Sequence, residues 1–363
     1  LCTTYMVENL KVHAELSLIS DDGLGSEYRI SLKSDSLKDT IPEAVADKIK
    51  NMPETENVYA TKYTMGELQI SKNEFLSEEE WSDYFKYQNQ EPYYIQRYDG
   101  ICKQQEDGNY RIKYNVYGYD EAMIEQLRDF ILEGEIQPET IKNNNQVIVT
   151  ANMDGQGNYF FYGKKPGDTI TLRVPKTENY TDELLKFQSG EENYIEKEFE
   201  IAAIVNRPLA QEKDFLNTEV WKNAQSVIMT GEQMEENFGI TDYSFINASP
   251  ADSADAKIVS NQLLQVIRDV PKAVLQDYTT AIATQKGYLG QQQIFFSSIA
   301  VILLIISLFH IVNSMSHTIL TRRREYGIIR AIGITDGGFY KMILQTGILY
   351  GLLADVFIYL IYN

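Results

Sequence analysis

Ile294-Phe-Phe-Ser-Ser-Ile-Ala-Val-Ile-Leu-Leu-Ile-Ile-Ser-Leu-Phe-His-Ile-Val312 decides how the rest of the chain is read. A bilayer hydrocarbon core about 30 Å thick needs about 20 helical residues, and this run supplies 19. No Asp, Glu, Lys or Arg occurs from Gly287 to Thr321. A helix buried in a water-soluble core would show a polar face, whereas Ile299, Val301, Leu303, Leu304, Ile306 and Leu308 surround the axis here. The reading is a membrane span over about residues 292–316. A second apolar stretch, Met342 to Tyr362, is interrupted by Asp355 and reads as a span over about 341–362. Gly347 and Gly351 give it a G-x-x-x-G spacing that lets helices approach closely, although glycine is common in membrane helices.

Between the two stretches lies Arg322-Arg-Arg-Glu-Tyr-Gly-Ile-Ile-Arg-Ala-Ile-Gly-Ile-Thr335. It holds four of the five basic groups found after residue 290. Short loops rich in Lys and Arg stay in the cytoplasm, so the connector 322–335 is expected inside and residues 1–290 outside. The charge balance agrees. The 363 residues carry 33 basic and 52 acidic groups, a net charge of -19. Residues 1–290 hold 28 of those basic groups and 49 of those acidic groups, and an acidic body is repelled by the anionic inner leaflet. A chain this acidic lacks the basic footprint that nucleic acid requires. With 44% hydrophobic and 23% charged residues, disorder is excluded as the main character. The chain opens on Leu1, and it reads as a fragment or as a product trimmed at its start.

The body alternates strand and helix. Strands are expected at Ser26–Lys33, Val58–Ile70, Tyr110–Tyr119, Gln146–Ala151, Asp168–Val174, Glu198–Val205 and Ser226–Met229. Pro42 opens a helix to Lys50, Ser77-Glu-Glu-Glu80 starts another ending near Tyr87, and Asp120 caps one running through Leu132 to a Gly134 stop. Glu232–Phe238 is a short helix. Strand Ser244–Ala248, helix Ser253–Asp269 and strand Ala273–Tyr278 repeat the order of strand 26–33, helix 42–50 and strand 58–70. Two βαβ halves, one from each end of the body, are therefore expected to share one sheet. Helix 253–269 should bury a stripe of Ile258, Val259, Leu263, Val266, Ile267 and Val270. The middle, about 71–240, is strand-rich and reads as a second lobe. From Thr279 the chain can run as one helix to Leu320, roughly 60 Å long, with Gly287 and Gly290 permitting a bend. The fold class is thus an α+β domain of βαβ units on a mixed sheet with a strand-rich second lobe, followed by α-helical transmembrane segments.

Familiar reaction chemistry is hard to place. The run Gly157 to Lys165 is one residue too long for a phosphate-binding loop and lacks its Ser or Thr. Asn152 to Gly163 resembles a calcium loop but has Gly163 where a bidentate Glu is needed. Both are read as hairpin turns, with Gly155, Gly157, Gly163 and Gly167 as turn residues. His13 is the one histidine before the spans, so a Ser-His-Asp constellation is not assembled. Cys2 and Cys102 are too few for a disulfide scaffold or a multi-cysteine zinc site, and their spacing does not say whether they pair. Tyr84-Phe85-Tyr87, Tyr93-Tyr94 and Tyr159 to Tyr162 read as strand-face packing or as a peptide- or lipid-binding surface. His310, Asn313 and Asp355 are intramembrane polar candidates, because ionisable groups inside spans face a protein interior and carry function.

Arg324-Glu-Tyr-Gly-Ile-Ile-Arg-Ala-Ile-Gly333, set between two spans and after a large outer domain, resembles the connector of FtsX/MacB-type ABC transporter permeases. That family's connector reads as a basic stretch followed by R-E-x-G-I-x-[RK]-A-[ILM]-G. The body resembles a MacB-like extracytoplasmic core domain through Val116-Tyr-Gly-Tyr-Asp120, Leu132-Glu-Gly134, Gln146-Val-Ile-Val-Thr150, Gly167-Asp-Thr-Ile-Thr-Leu172 and Glu198-Phe-Glu-Ile-Ala-Ala-Ile-Val205, in the family's order. Asp355 departs from the small apolar residues usual there. The resemblance implies a membrane-proximal segment 1–25, a core domain 26–280 and an FtsX-like membrane domain 281–363. It implies no catalytic residue, no metal and no cofactor bound by this chain, with ATP-Mg held by a separate ABC ATPase. Arg322, Arg323, Arg324, Glu325, Tyr326, Gly327, Ile328, Ile329, Arg330, Ala331, Ile332 and Gly333 would form the coupling segment on which that ATPase docks. Tyr326, Ile329 and Ile332 would fill an apolar groove on it. Partners would be the ATPase, a second permease copy or half, membrane lipid and an extracellular peptide or lipid substrate. ATP-driven closure would then move the outer domain through the spans, which is mechanotransmission. The alternative is a membrane-anchored extracellular receptor or sensor that binds a peptide without transport. A cell-wall hydrolase would need a nucleophile, base and orienter that the sequence does not present.

Overall fold

The computed structural model describes residues 26–34, 36–72, 74, 102–153, 158–187, 190–209, 225–335, 337–342, 344–345 and 347. They fall into two units, one ending at Gln285 and one beginning at Lys286.

The first unit opens with β1 (Tyr28–Leu32), α1 (Glu43–Lys50), β2 (Thr55–Ile70), β3 (Cys102–Gln104) and β4 (Tyr110–Tyr119). It continues with α2 (Glu121–Gln126), β5 (Ile131–Gly134), α3 (Pro138–Asn143), β6 (Gln146–Thr150) and the two short strands β7 (Asn152–Met153) and β8 (Tyr159–Phe160). Then come β9 (Thr169–Pro175), β10 (Tyr194–Val205), β11 (Ser226–Thr230), α4 (Gly231–Phe238), β12 (Phe245–Pro250), α5 (Ala256–Val266) and β13 (Ala273–Asp277). Helix α6 (Thr279–Thr321) follows, and α7 (Arg323–Ala331) lies in the second unit.

Strand order at one end is β13-β1-β12-β2. β1 is antiparallel to both β12 and β13, and β12 is antiparallel to β2. β1 and β2 are therefore parallel to each other with β12 between them, and β12 and β13 are parallel with β1 between them. The two βαβ halves interleave, as a split βαβ arrangement. Their crossover helices share one core, in which Val45, Ala46 and Ile49 of α1 and Val259 and Leu263 of α5 pack with Tyr28, Ile30 and Ile246. Each buried Val, Ile or Leu side chain among them contributes about 1.5–3 kcal/mol relative to exposure.

β2 serves two sheets. Its first part, to Thr61, pairs with β12, and from Lys62 to Ile70 it pairs with β4. The sequence of pairings β2–β9, β9–β10, β10–β6, β6–β11, β11–β4 and β4–β2 closes a six-stranded ring. β10–β6 and β11–β4 are parallel and the others antiparallel, so the sheet is mixed. All six strands send side chains to one interior cluster, including Leu68, Tyr114, Val147, Leu172, Ile201 and Val227. Met234 and Phe238 of α4 belong to the same cluster. The outer face of the ring presents Tyr63, Met65, Tyr117, Ile148 and Ile228, which pack with Met123, Ile124 and Leu127 on one side and Tyr180 and Leu185 on another. Strands buried on both faces lose the apolar–polar alternation, as in β11, where Val227 and Met229 enter the interior and Ile228 faces the outer layer.

Three expectations are corrected. The helix after Asp120 stops at Gln126, passes through a 3-10 turn at Leu127–Phe130, and Ile131–Gly134 is a strand paired with β10. The apolar run Phe130-Ile131-Leu132 reads equally as helix or strand, and the free edge of β10 decides for strand. Gly134 sits at φ 93°, and a Cβ there would lie 2.3 Å from the Ala202 carbonyl oxygen, so the close approach requires glycine. Helix α5 is shorter than 253–269, starting after Asp255, whose carboxylate accepts from the Lys257 amide at 2.8 Å. Ile258 is 55% exposed, because the buried stripe centres on Val259, Leu263, Ile267 and Val270 and leaves it one step round the helix. The expected helix 77–87 lies outside the described residues.

Candidate coupling segment

Helix α6 has 43 residues. Its portion Gly290–Thr321 is, among the described residues, the one helix long and apolar enough to cross a membrane. At about 1.5 Å per residue these 32 residues extend about 48 Å. His310 and Asn313 lie within it and are exposed, while Asp355 and most of the expected second span lie outside the described residues.

Arg322 breaks the helix for a single residue, at φ -100° and ψ 21°. The Arg322 amide still donates to the Thr318 carbonyl at 3.0 Å, and the Tyr326 amide donates to the Arg322 carbonyl at 3.0 Å. Hydrogen bonding therefore continues through the joint although Arg322 itself is not helical. α7 ends where Gly333 adopts φ 101° and donates to the Arg330 carbonyl at 3.1 Å. Thr335 then starts the next helical stretch, its hydroxyl accepting from the Gly338 amide at 3.2 Å and its carbonyl from the Phe339 amide at 3.0 Å. Residues 337–342 are helical. A Cβ on Gly347 would lie 3.3 Å from Met315 Sδ, so this returning stretch packs back on α6.

α7 has two faces. Inward, Tyr326 meets the Phe339 ring edge-on, with centroids 5.4 Å apart and planes at 82°. The Arg330 side chain is exposed, and its guanidinium lies 5.4 Å from the centroid of the same ring. Ile329 is half-buried on this side. Outward, Ile328 is 60% and Ile332 81% exposed, with Arg323, Arg324 and Ala331 also exposed. Arg322 and Glu325 approach at 4.0 Å on the surface, a pair worth little in water. Of the three apolar residues expected to fill a partner's groove, the structure gives Tyr326 to Phe339 and leaves Ile332 outward. Phe339 lies outside the connector motif; its signal in the sequence is an aromatic pair, Phe339-Tyr340, at the head of the second apolar stretch.

In the first unit a cavity of about 420 Å³ lies beside the point where β2 changes sheets, lined among others by Lys62, Asp120, Glu232, Glu235 and Tyr243. Lys62 pairs with Glu235 at 3.3 Å. Burial raises the Asp120 carboxyl, and burial followed by the charges of Glu43, Asp47, Asp120 and Glu235 pushes the Tyr243 phenol up to about 12. Among the described residues no group of three or more His, Cys, Asp or Glu side chains is placed to hold a metal. Cys102 is a buried free thiol raised by desolvation, and Cys2 and His13 lie outside the described residues. β7 and β8 pair antiparallel, Asn152 with Phe160 and Met153 with Tyr159, while Gly155 and Gly157 lie outside the described residues. Phe161 and Tyr162 are core residues, while the clusters 84–87 and 93–94 lie outside the described residues.

The model of the family described as FtsX-like permease C-terminal matches residues 297–361, a stretch that contains α7. It is the family that the connector motif resembles. The chain is also similar to the periplasmic region of MacB from Actinobacillus actinomycetemcomitans, at 9% identity and a TM-score of 0.41, covering 75% of this chain and 97% of that one. It is similar to the extracellular domain of the noncanonic ABC-type transporter YknZ from Gram-positive bacteria, at 9% identity and a TM-score of 0.36, covering 69% of this chain and 100% of that one. No curated protein matches.

Proposed function

We propose that this chain is the permease subunit of an FtsX/MacB-type ABC transporter. The observation that carries the reading is the family match over 297–361, joined to the full connector motif at Arg324–Gly333 on an exposed helix. In this reading residues 1–290 are extracytoplasmic, 322–335 cytoplasmic, and two spans enclose the connector. A separate ABC ATPase binds ATP-Mg and docks on the outward face of α7, where Arg323, Arg324, Ile328 and Ile332 offer both charge and apolar contact. A second permease copy or half completes the assembly. ATP-driven closure displaces α7 and the spans, and the extracytoplasmic domain moves with them to handle a peptide, lipid or lipoprotein.

The test is co-expression of the full chain with the ABC ATPase encoded beside its gene, purification through a tag on the permease, and ATP turnover in proteoliposomes. Co-purification with turnover that depends on the permease supports the reading. An ATPase that neither binds nor responds sinks it. Single cysteines at Ser31 and Thr335, reacted with a membrane-impermeant maleimide on intact cells, check the orientation: labelling at Thr335→Cys and not at Ser31→Cys contradicts it.

A further inference from the structure

The connector motif, read as a string, offers all its side chains to a partner. The geometry divides them. Tyr326 and Arg330 are one helical turn apart and both engage the ring of Phe339, one by its edge at 5.4 Å and the other by a guanidinium 5.4 Å from the centroid. Phe339 belongs to the next helical stretch, whose start is fixed by the Thr335 cap. The ring thus holds α7 from the side opposite Ile328 and Ile332.

We propose that Phe339 is a positioning residue: Tyr326 and Arg330 of the motif clamp its ring, tying the coupling segment to the second helical stretch, rather than contacting the ATPase. This rests on the reading of α7 as a coupling segment and deepens it. The physical argument is one of constraint. α7 joins α6 at the single non-helical residue Arg322 and leaves through Gly333 at positive φ. Backbone hydrogen bonds bridge the first joint, whereas the exit at Gly333 is not helical, so the direction of this nine-residue helix against the following stretch is left to side-chain contacts. An edge-to-face ring pair and a cation over a ring are both directional contacts that need an aromatic at position 339. Leucine has comparable apolar bulk but no ring quadrupole, so it separates a clamp from simple filling.

The experiment has two arms. In the first, amide hydrogen exchange is followed over residues 323–333 of the full-length chain in detergent micelles, without any ATPase. Phe339→Ala and Phe339→Leu should both exchange about tenfold faster than the parent, and Phe339→Trp should stay close to it. Exchange in Phe339→Leu equal to the parent overturns the clamp. In the second, the same variants are assembled with the ATPase. Phe339→Ala and Phe339→Leu should retain co-purification but lose most permease-dependent stimulation of ATP turnover, and Phe339→Trp should restore it. Loss of co-purification in Phe339→Leu overturns the proposal, since the clamp side would then be a partner surface. Failure of the parent chain to bind any ATPase removes the transporter reading, while the exchange arm still decides whether the clamp exists.

Discussion

Gly118 on β4 lies directly beneath Met234 on α4: a Cβ built on Gly118 would sit 2.5 Å from Met234 Cγ and 3.2 Å from both Met234 Cβ and Lys62 Cβ. The interior of the ring is closed at this end by a side chain that fits because glycine leaves the space. Gly118→Ala should therefore cost about 1–3 kcal/mol through overpacking, seen as a lower unfolding midpoint of the full chain in micelles. The double variant Gly118→Ala/Met234→Ala should lose less than the two single losses added together, because removing Met234 relieves the clash. A single variant that unfolds like the parent would show that α4 does not close the ring in this way.

That contact was invisible in the sequence, although both elements carrying it were legible. Tyr110–Tyr119 reads as a strand from its alternating Tyr, Ile and Val, and it is a strand over those residues. Glu232–Phe238 reads as a short helix, and Gly231–Phe238 is one. What local pattern cannot supply is the choice of distant partners. The ring depends on β2 leaving β12 at Thr61 and joining β4 at Lys62, with no break in its sequence to mark the change. Ile131 and Leu132 read as the end of a helix because their apolar run has no period of its own. The first residues of β10, Tyr194 to Lys197, read as loop because Glu196 and Lys197 face solvent. In the connector the motif gave the candidate residues, but which of them turn inward depends on Phe339, which no spacing rule points to.

The segment between β9 and β10 is fastened to the ring by charge. Glu191, 70% exposed, bonds Arg173 and also pairs with Arg111 at 3.2 Å, over the buried Glu67, which is 3% exposed and accepts no hydrogen bond at either oxygen. The hydrogen bond from Arg173, and then the charges of Arg173 and Arg111, hold the Glu191 carboxyl below its ordinary 4.5. A carboxyl lowered in the folded state contributes stability above its unfolded value and loses it as pH falls through the folded one. Glu191→Gln should therefore melt below the parent at pH 7, and the gap should close progressively as pH falls below the ordinary carboxyl value of 4.5 and through the lowered folded one. The check is a series of thermal melts of both full-length chains from pH 7 to 3. A gap that stays constant over that range would show that the carboxylate charge is not what fastens the segment.

Gly327 separates a steric from a helical role in α7. A Cβ at this position meets nothing within 4 Å, so Gly327→Ala brings no clash and should firm the helix by about 1 kcal/mol. Proline at the same place removes an interior amide donor and collides with the preceding turn, costing about 3 kcal/mol or more. Gly327→Ala should keep or raise permease-dependent ATP turnover, and Gly327→Pro should abolish it while membrane insertion is unchanged. Glu325→Arg should act in the same direction as proline for a different reason. It removes the carboxylate 4.0 Å from Arg322 and adds a fourth adjacent cation to Arg322, Arg323 and Arg324. The measurements are turnover with the ATPase in proteoliposomes and carbonate-resistant membrane association of the same preparations. If Gly327→Pro and Glu325→Arg both turn over ATP as the parent does, α7 is not where the force of the nucleotide cycle enters, however well its sequence matches. If Gly327→Ala alone abolishes turnover, the face of α7 left open at Gly327 is itself a docking surface that admits no side chain, and the partner's contact must be redrawn around it.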